Sequence, residues 1–215
     1  NSDLLGKKVL VSAGGTREAI DPVRFIGNHS SGKQGIAVAL DAVTRGARVT
    51  LVLANQPEVF IEGITTVHVS TALELQLAME AEFDSSDIVV MTAAVADARP
   101  ISISAQKIAS EDYQRIDLTE NPDIIAELTS RKAHQFVIGF AAQTTSDALE
   151  IAENKLKSKK LDLIYVNDVS GGKVFGHDET QGSILAKDGE IYPCETMSKK
   201  TLAHKLLSIA RDKLG

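Results

Sequence analysis

Short apolar segments alternate with segments of helical periodicity along most of the chain. Residues 8–13 form an apolar run that stops at two glycines, which is typical of a strand buried on both faces of a parallel sheet. Residues 35–45 carry apolar side chains at helical spacing, Gly46 ends that pattern, and residues 48–53 form a second apolar run. The three segments together have about the length of one βαβ unit.

The same alternation continues to the last residues. Further strands are predicted at 67–69, 87–93, 136–141 and 161–166, helices at 72–83, 121–132, 147–160 and 198–213, and a hairpin from 183–186 and 190–193. We therefore predict an α/β fold, a Rossmann-like and mostly parallel sheet with helices on both faces, plus a small hairpin excursion. The length of 215 residues suits one domain, so residues 1–215 are predicted to form a single domain.

Ligands of a parallel α/β sheet bind beyond the carboxyl ends of its strands. The segments that follow strands here are 14–32, 94–120, 141–146 and 167–182. Residues 98–118 are polar and weakly patterned, and we interpret them as a flap, because long loops in compact domains are usually functional or mobile. Ser30-Ser31-Gly32 comes just before a predicted helix and would place free N–H groups toward an anion, although serine there can also be an ordinary cap.

Composition and charge exclude several classes of protein. The formal net charge is −6 and no basic stripe is present, so we expect no nucleic-acid partner. No apolar run reaches the ~18–20 residues of a membrane span and no signal-peptide pattern begins the chain, so no membrane partner is expected. The single cysteine, Cys194, excludes a disulfide framework and fits a reducing compartment, which favours a cytoplasmic location.

An NAD(P)-dependent reductase of the Rossmann class is one interpretation that the residues leave open. Residues 31–36, followed by a strand at 48–53, are similar to a dinucleotide-binding segment. The glycines do not have the G-x-G-x-x-G spacing, however, and no acidic residue directly follows that strand to bind a ribose. A Tyr-x-x-x-Lys pair is also missing at all three tyrosines.

Seven motifs occur in an order that resembles a known family. They read AGGTRE at 13–18, DPVRFI at 21–26, NHSSGK at 28–33, AAVAD at 93–97, NPDI at 121–124, GFAA at 139–142 and NDVS at 167–170. From about residue 7 to residue 200 the chain is similar to the phosphopantothenate–cysteine ligases of coenzyme A biosynthesis. In many bacteria this ligase is the C-terminal half of a bifunctional protein, so the resemblance implies fusion to a flavin-dependent decarboxylase domain.

The resemblance also implies a reaction. Family members join the carboxylate of 4′-phosphopantothenate to the amine of L-cysteine, and bacterial members first convert that carboxylate to an acyl-cytidylate with CTP and Mg²⁺. ATP serves in eukaryotic relatives, so the choice between CTP and ATP stays open, and the metal ligands are unknown. Family members form dimers, and we predict a homodimer with its contact at about residues 165–195.

Roles for single residues follow from the same resemblance. Asn28 contacts the acyl group, and Lys107, ten residues after Asp97, is the catalytic lysine, which can stabilise charge developing on phosphate oxygens. The predicted nucleotide-binding residues are Asp97, Lys107, Pro122, Asp123, Ile124, Ile125, Phe140, Lys155 and Lys159. The predicted substrate-binding residues are Arg24, Asn28, Ala93 and Ala94. Arg24 could pair with the substrate phosphate, either within its own chain or across a dimer interface.

Three positions depart from the family pattern. Ala98 replaces the usual aromatic residue, Gln143 replaces a common glutamate, and Ala109 stands where a lysine-rich stretch normally follows Lys107. These departures keep a second alternative open, a non-catalytic nucleotide-binding module.

Overall fold

The predicted alternation of strands and helices is confirmed in the computed structural model, which describes residues 2–57, 60–143, 147–168 and 178–214. The strands are β1 (Lys8–Gly14), β2 (Arg17–Ala19), β3 (Phe25–Gly27), β4 (Arg48–Ala54), β5 (Ile64–Val69), β6 (Ile88–Met91), β7 (Ala98–Pro100), β8 (Leu118–Glu120), β9 (Phe136–Gln143), β10 (Leu163–Asp168), β11 (Glu179–Ala186) and β12 (Ile191–Ser198). The helices are α1 (Lys33–Thr44), α2 (Ala72–Phe83), α3 (Ile124–Ser130), α4 (Ala148–Ser158) and α5 (Lys199–Leu214).

Eight of these strands form one mostly parallel sheet in the order β12-β11-β10-β9-β6-β1-β4-β5. The six strands from β10 to β5 pair in parallel, whereas β11 and β12 pair antiparallel. The predicted hairpin is confirmed as β11 and β12. The hairpin extends the main sheet, because the backbone of β11 pairs directly with β10, for example Tyr165 with Ile184.

The helices cover both faces of the sheet, because side chains along a strand point alternately to opposite faces. Val9 and Val11 of β1 belong to a buried cluster with residues of α1 and α5. Leu10, between them, belongs to a second buried cluster with residues of α2, α3 and α4. The core thus lies in two layers on either side of the sheet.

Gly35 brings the first turn of α1 against the carboxyl ends of β1 and β6. A Cβ atom at this position would lie 2.4 Å from the Cβ atom of Ala13 and 2.5 Å from Oγ1 of Thr92. Only glycine permits this approach, and it places the N-terminus of α1 at the sheet edge where ligands are expected.

Two small ribbons outside the main sheet were not predicted. β2 pairs with β3, and β7 pairs with β8 at the two ends of the predicted flap. The ribbons are connected to each other, because the backbone N–H of Ser104 donates to the carbonyl oxygen of Ile20 at 3.0 Å. Within the described ranges, none of the helices has the length and apolar character needed to cross a membrane.

Candidate functional site

A cleft of about 710 Å³ opens at the carboxyl ends of β6 and β9, beside α3 and α4. Its lining includes most of the predicted site residues: Asn28, Ala93, Asp97, Pro122, Asp123, Ile124, Ile125, Phe140, Lys155 and Lys159. Their convergence agrees with the rule that ligands bind at the carboxyl edge of a parallel sheet. Lys107 is not among the lining residues.

The two lysines of the cleft lie on one face of α4, because residues four apart are neighbours on a helix. Nζ of Lys159 is 2.9 Å from Oδ2 of Asp123, so this lysine is already paired. The ammonium group of Lys155 makes no hydrogen bond or ion pair with the residues that the structure describes. The cleft therefore presents one paired and one available cation to a ligand.

The loop before α3 is tied to the segment that contains Asp97. The side-chain amide of Asn121 donates to the carbonyl oxygen of Ala96 at 2.8 Å, and its backbone N–H donates to that of Asp97 at 2.8 Å. Asp123 begins α3, since its carboxylate accepts the N–H of Ala126 at 3.2 Å. This cap is why the helix starts at Ile124 and not at residue 121 as predicted.

A second, smaller cavity of about 170 Å³ lies at the same edge of the sheet, between the N-termini of α1 and α5. Its lining residues are His29, Ser30, Ser31, Gly32, Lys33, Gln34, Thr92, Ala94, Phe140, Tyr165, Asn167, Thr180 and Lys199. We call it the anion cavity because two lysines, Lys33 and Lys199, line it. Phe140 lines both the anion cavity and the cleft. The two compartments are therefore direct neighbours.

Two short segments of the chain form the boundary between the cleft and the anion cavity, because neighbouring residues in each segment line different compartments. Asn28 and Ala93 line the cleft, whereas His29 and Ala94 line the anion cavity. Backbone bonds fix this boundary, because the N–H of Ala94 donates to the carbonyl oxygen of Gly14 at 2.8 Å. A ligand that crosses the boundary would contact both compartments through these short segments.

A chain of hydroxyl and amide groups forms one wall of the anion cavity. The Tyr165 hydroxyl lies 2.8 Å from Oγ1 of Thr180, which donates to Oδ1 of Asn167 at 3.1 Å. Burial raises the pKa of Tyr165 to about 12, so its hydroxyl stays neutral. This wall therefore adds no negative charge to the cavity.

Arg24 lies outside both cavities and makes its contacts within the ribbons. Its Nε is 3.1 Å from Oδ2 of Asp21 in an ion pair, and its terminal nitrogen donates to the carbonyl oxygen of Ile108 at 2.5 Å. The guanidinium also stacks 3.8 Å from the ring centre of Tyr113. Arg24 therefore holds the loop at Ile108.

Lys107 is exposed in that same loop. Its neighbour Ile108 is fixed from both sides, since Asp21 accepts the N–H of Ile108 at 3.2 Å and Arg24 donates to its carbonyl oxygen. The catalytic role of Lys107 and the phosphate role of Arg24 both stay predictions.

Sequence reasoning did not select Lys199, Thr180 or His29 as site residues. The sequence did contain one indication that Lys199 is functional, because a cation at the first position of a helix opposes the helix dipole and needs another reason to be there. The convergence of these three residues on one cavity depends on long-range packing and has no local pattern. Across the part of the chain that the structure describes, no group of three or more His, Cys, Asp or Glu side chains could hold a metal ion.

The fold and these compartments define a Rossmann-like α/β domain with two cavities at the carboxyl edge of the sheet. Within that class, the chain belongs to the DNA/pantothenate metabolism flavoprotein C-terminal domain family, which matches residues 4–213.

Known proteins similar to the chain support this assignment. The coenzyme A biosynthesis bifunctional protein CoaBC of Mycobacterium tuberculosis is 43% identical over 217 residues, and that of Bacillus subtilis is 41% identical over 213 residues. These matches cover 95% and 96% of this chain but 52% of each relative, so the chain spans about half of their length. The crystal structure of a CoaBC C-terminal domain superposes with a TM-score of 0.86 at 36% identity, covering 100% of this chain and 98% of that one.

Proposed function

We propose that the chain is a phosphopantothenate–cysteine ligase, which joins the carboxylate of 4′-phosphopantothenate to the amine of L-cysteine with CTP as the activating nucleotide. One observation carries the proposal. The cleft gathers every predicted nucleotide-binding residue except Lys107, and it adjoins a cavity suited to a phosphate group.

The two compartments suit the two ligands. CTP occupies the cleft with its phosphates near Lys155 and Lys159. The phosphate of the acid substrate occupies the anion cavity. The N-cap residue of α1, Gly32, provides no side-chain cap there, so the first N–H groups of the helix can donate to an anion. The carboxylate end then lies at the boundary between the compartments, beside Asn28 and Ala93.

The first step activates the carboxylate. A carboxylate oxygen attacks the α-phosphorus of CTP, an acyl–O–P bond forms, and the bond to pyrophosphate breaks. Lys155 and Lys159 stabilise the charge on the transferring phosphate, a contribution that is often large in such sites. Mg²⁺ arriving with CTP would neutralise part of the triphosphate charge. Asp97, which lines the cleft, would suit the preference of that ion for oxygen ligands.

The second step forms the amide. The amine of cysteine attacks the acyl carbon, loses a proton, and displaces CMP. The side-chain amide of Asn28 has two N–H donors, and one of them donates to the carbonyl oxygen of Val95 at 3.2 Å. The second N–H can donate to the acyl oxygen of the intermediate. Lys107 lies outside the cleft of its own chain, so we propose that a second copy of the chain supplies it while Asp21 and Arg24 hold its loop in place.

The assembly is part of the proposal. We place the contact of a homodimer on the two ribbons, which expose five large apolar side chains: Val23, Phe25, Ile101, Ile103 and Leu118. The predicted contact at 165–195 lies partly outside the described residues, and its described part exposes one such side chain, Ile191. The fused decarboxylase domain and the cytoplasmic location stay predictions of the resemblance and of the single cysteine.

A pyrophosphate-release assay tests the function. CTP and ATP are each supplied with 4′-phosphopantothenate, with and without cysteine. We expect release that needs phosphopantothenate and is faster with CTP, and amide product only when cysteine is present. CTP binding without pyrophosphate release would instead identify a nucleotide-binding module, and hydride transfer with NADPH would identify a reductase.

A further inference from the structure

Two lysines, each the first residue of a helix, line the anion cavity. Lys33 begins α1 and Lys199 begins α5. The two helix starts are joined, because the side-chain amide of Gln34 donates to the carbonyl oxygen of Lys199 at 3.1 Å. Nζ of Lys33 is 2.8 Å from Oδ1 of Asp178, whereas Nζ of Lys199 makes no hydrogen bond or ion pair with any described residue.

The position of Lys199 is electrostatically unfavourable in the unliganded protein. A cation in the first turn of a helix opposes the helix dipole. Partial burial, and then the nearby positive charge of Lys33, lower the pKa of Lys199, and the negative charge of Asp178 offsets only part of this shift. The next residue, Lys200, is exposed and would serve solubility equally well. Nothing in the fold of α5 therefore requires a lysine at position 199.

The carboxylate that acts on Lys33 and Lys199 is that of Asp178, which pairs with Lys33 and is not among the lining residues. Among the described residues that line the anion cavity, none is a carboxylate, and the Tyr165 hydroxyl stays neutral. Such a pair of cations beside polar hydroxyl and amide groups is complementary to a dianion. A phosphate monoester carries a charge of about −1.5 to −2 at neutral pH and offers three acceptor oxygens.

We propose that Lys199 is a specificity-determining residue that binds the phosphate monoester of the acid substrate and makes the enzyme prefer phosphopantothenate to unphosphorylated pantothenate. The inference rests on the proposed function for the identity of the substrate. Lys33 and the N–H groups of α1 bind the same phosphate from the other side, so two helices clamp one group.

Lys199→Gln tests the assignment, with Lys200→Gln as the matched control. In Lys199→Gln we expect the KM for phosphopantothenate to rise about 10- to 100-fold, since a charge-assisted hydrogen bond is lost. The KM for CTP stays within twofold, and the preference for phosphopantothenate over pantothenate falls by a similar factor. Lys200→Gln behaves as the unsubstituted protein. An unchanged KM and preference in Lys199→Gln would overturn the proposal.

Two further measurements separate this inference from its premises. Calorimetric titration with phosphopantothenate, without nucleotide, measures the loss of binding in Lys199→Gln even if ligase activity is absent. A failure of the proposed ligase function can therefore be told apart from a failure of the Lys199 assignment. Thermal unfolding without ligand tests the electrostatic argument, because Lys199→Gln should leave the Tm equal or raise it. A clear fall in Tm would assign Lys199 a structural role and overturn the inference.

Discussion

Three lysines at the C-terminal end of α4, namely Lys155, Lys157 and the C-cap residue Lys159, show how helical periodicity assigns different roles to similar residues. Lys155 and Lys159 face the cleft, whereas Lys157 faces away and pairs with Glu153 at 2.7 Å on the exposed side. An exposed i,i+4 pair of this kind contributes only about 0.3–0.5 kcal/mol. Lys157 is therefore a natural comparison for the cleft lysines, with the same side chain on the same helix.

We expect Lys155→Gln to raise the KM for CTP by about 10- to 100-fold, because it removes the cation that is available to the triphosphate. Steady-state kinetics at saturating phosphopantothenate and cysteine measure this change. Lys157→Gln should leave the KM for CTP within twofold. Equal effects of the two substitutions would show that α4 acts through general charge and not through a binding contact.

Individual site residues were predictable where a motif and a strand end coincided. Asp97 follows β6, residues 122–125 surround a helix start, and all of them line the cleft as predicted. The place of Lys199 beside the anion cavity was not predictable, because its partner Gln34 is 165 positions away and only the packing of α5 on α1 joins them. The contact of Arg24 with Tyr113 was missed for the same physical reason.

At the scale of elements, a single carboxylate joins the two ribbons. The side chain of Asp21 is buried, and it accepts the N–H groups of Val23 and Arg24 at 2.8 Å each and that of Ile108 at 3.2 Å. Burial raises the pKa of Asp21, but these hydrogen bonds outweigh it and lower the pKa below its usual value. The carboxylate is therefore ionised at neutral pH and holds the loop that carries Lys107.

Asp21→Asn should lower kcat toward the value of Lys107→Gln, which we expect to lose activity by orders of magnitude. The asparagine amide would turn a donor toward the N–H of Ile108, so the loop would be released. Combining Asp21→Asn with Lys107→Gln should then cost no more than Lys107→Gln alone. Asp117→Asn, on the exposed end of the same loop, is the control. If the losses of kcat from the two single substitutions multiply in the double variant, Asp21 does not act by positioning Lys107. Circular dichroism checks that each variant is folded.

The main sheet and its helices were predictable, but the ribbons were not. Residues 8–13 and 48–53 are apolar because both faces of β1 and β4 are covered, so burial left a pattern in the sequence. β7 and β8 have three residues each, and β8 is exposed throughout. Backbone pairing between short exposed strands at the two ends of a long loop leaves no apolar pattern in the sequence. The sequence therefore predicted an irregular flap at 98–118.

At the scale of the whole molecule, a charge network around the buried Arg45 attaches residues 2–7 to the rest of the fold. Asp3 binds Nε of Arg45 at 2.8 Å and also pairs with Arg211 of α5, while Arg45 is buried and contacts Asp41 at 3.3 Å. The hydrogen bond from Arg45 holds the pKa of Asp3 well below its usual value, with a further contribution from Arg211. The neighbouring Leu4 is fully buried in the core.

Asp3→Asn should lower the Tm by a few degrees at pH 7. Because the folded pKa is depressed, this stabilisation is present above the unfolded value of 3.8 and is lost as the pH falls through the folded pKa. Thermal unfolding from pH 7 to strong acid should therefore show the two Tm curves converging only below pH 3.8. Asp212→Asn, which removes only an exposed pair with Arg211, serves as the control. A Tm difference independent of pH would exclude the charge network as the cause.

The ribbons supply the prediction about assembly. Ile103 is 65% exposed beside other apolar residues of the ribbons, whereas Leu77 is 68% exposed on α2 away from them. Light scattering after gel filtration should give twice the chain mass of 23.0 kDa for the unsubstituted protein and for Leu77→Asp. Ile103→Asp should give the single-chain mass, because a charge would be buried in the contact. A monomeric unsubstituted protein would disprove the homodimer.

The two compartments meet at Phe140 but approach the sheet edge from opposite layers of helices. The anion cavity lies on the side of α1 and α5, and the cleft lies on the side of α3 and α4. Each ligand can therefore reach its compartment without passing through the other one. The order of addition of CTP and phosphopantothenate should then be random, with intersecting initial-rate patterns and neither substrate required before its partner.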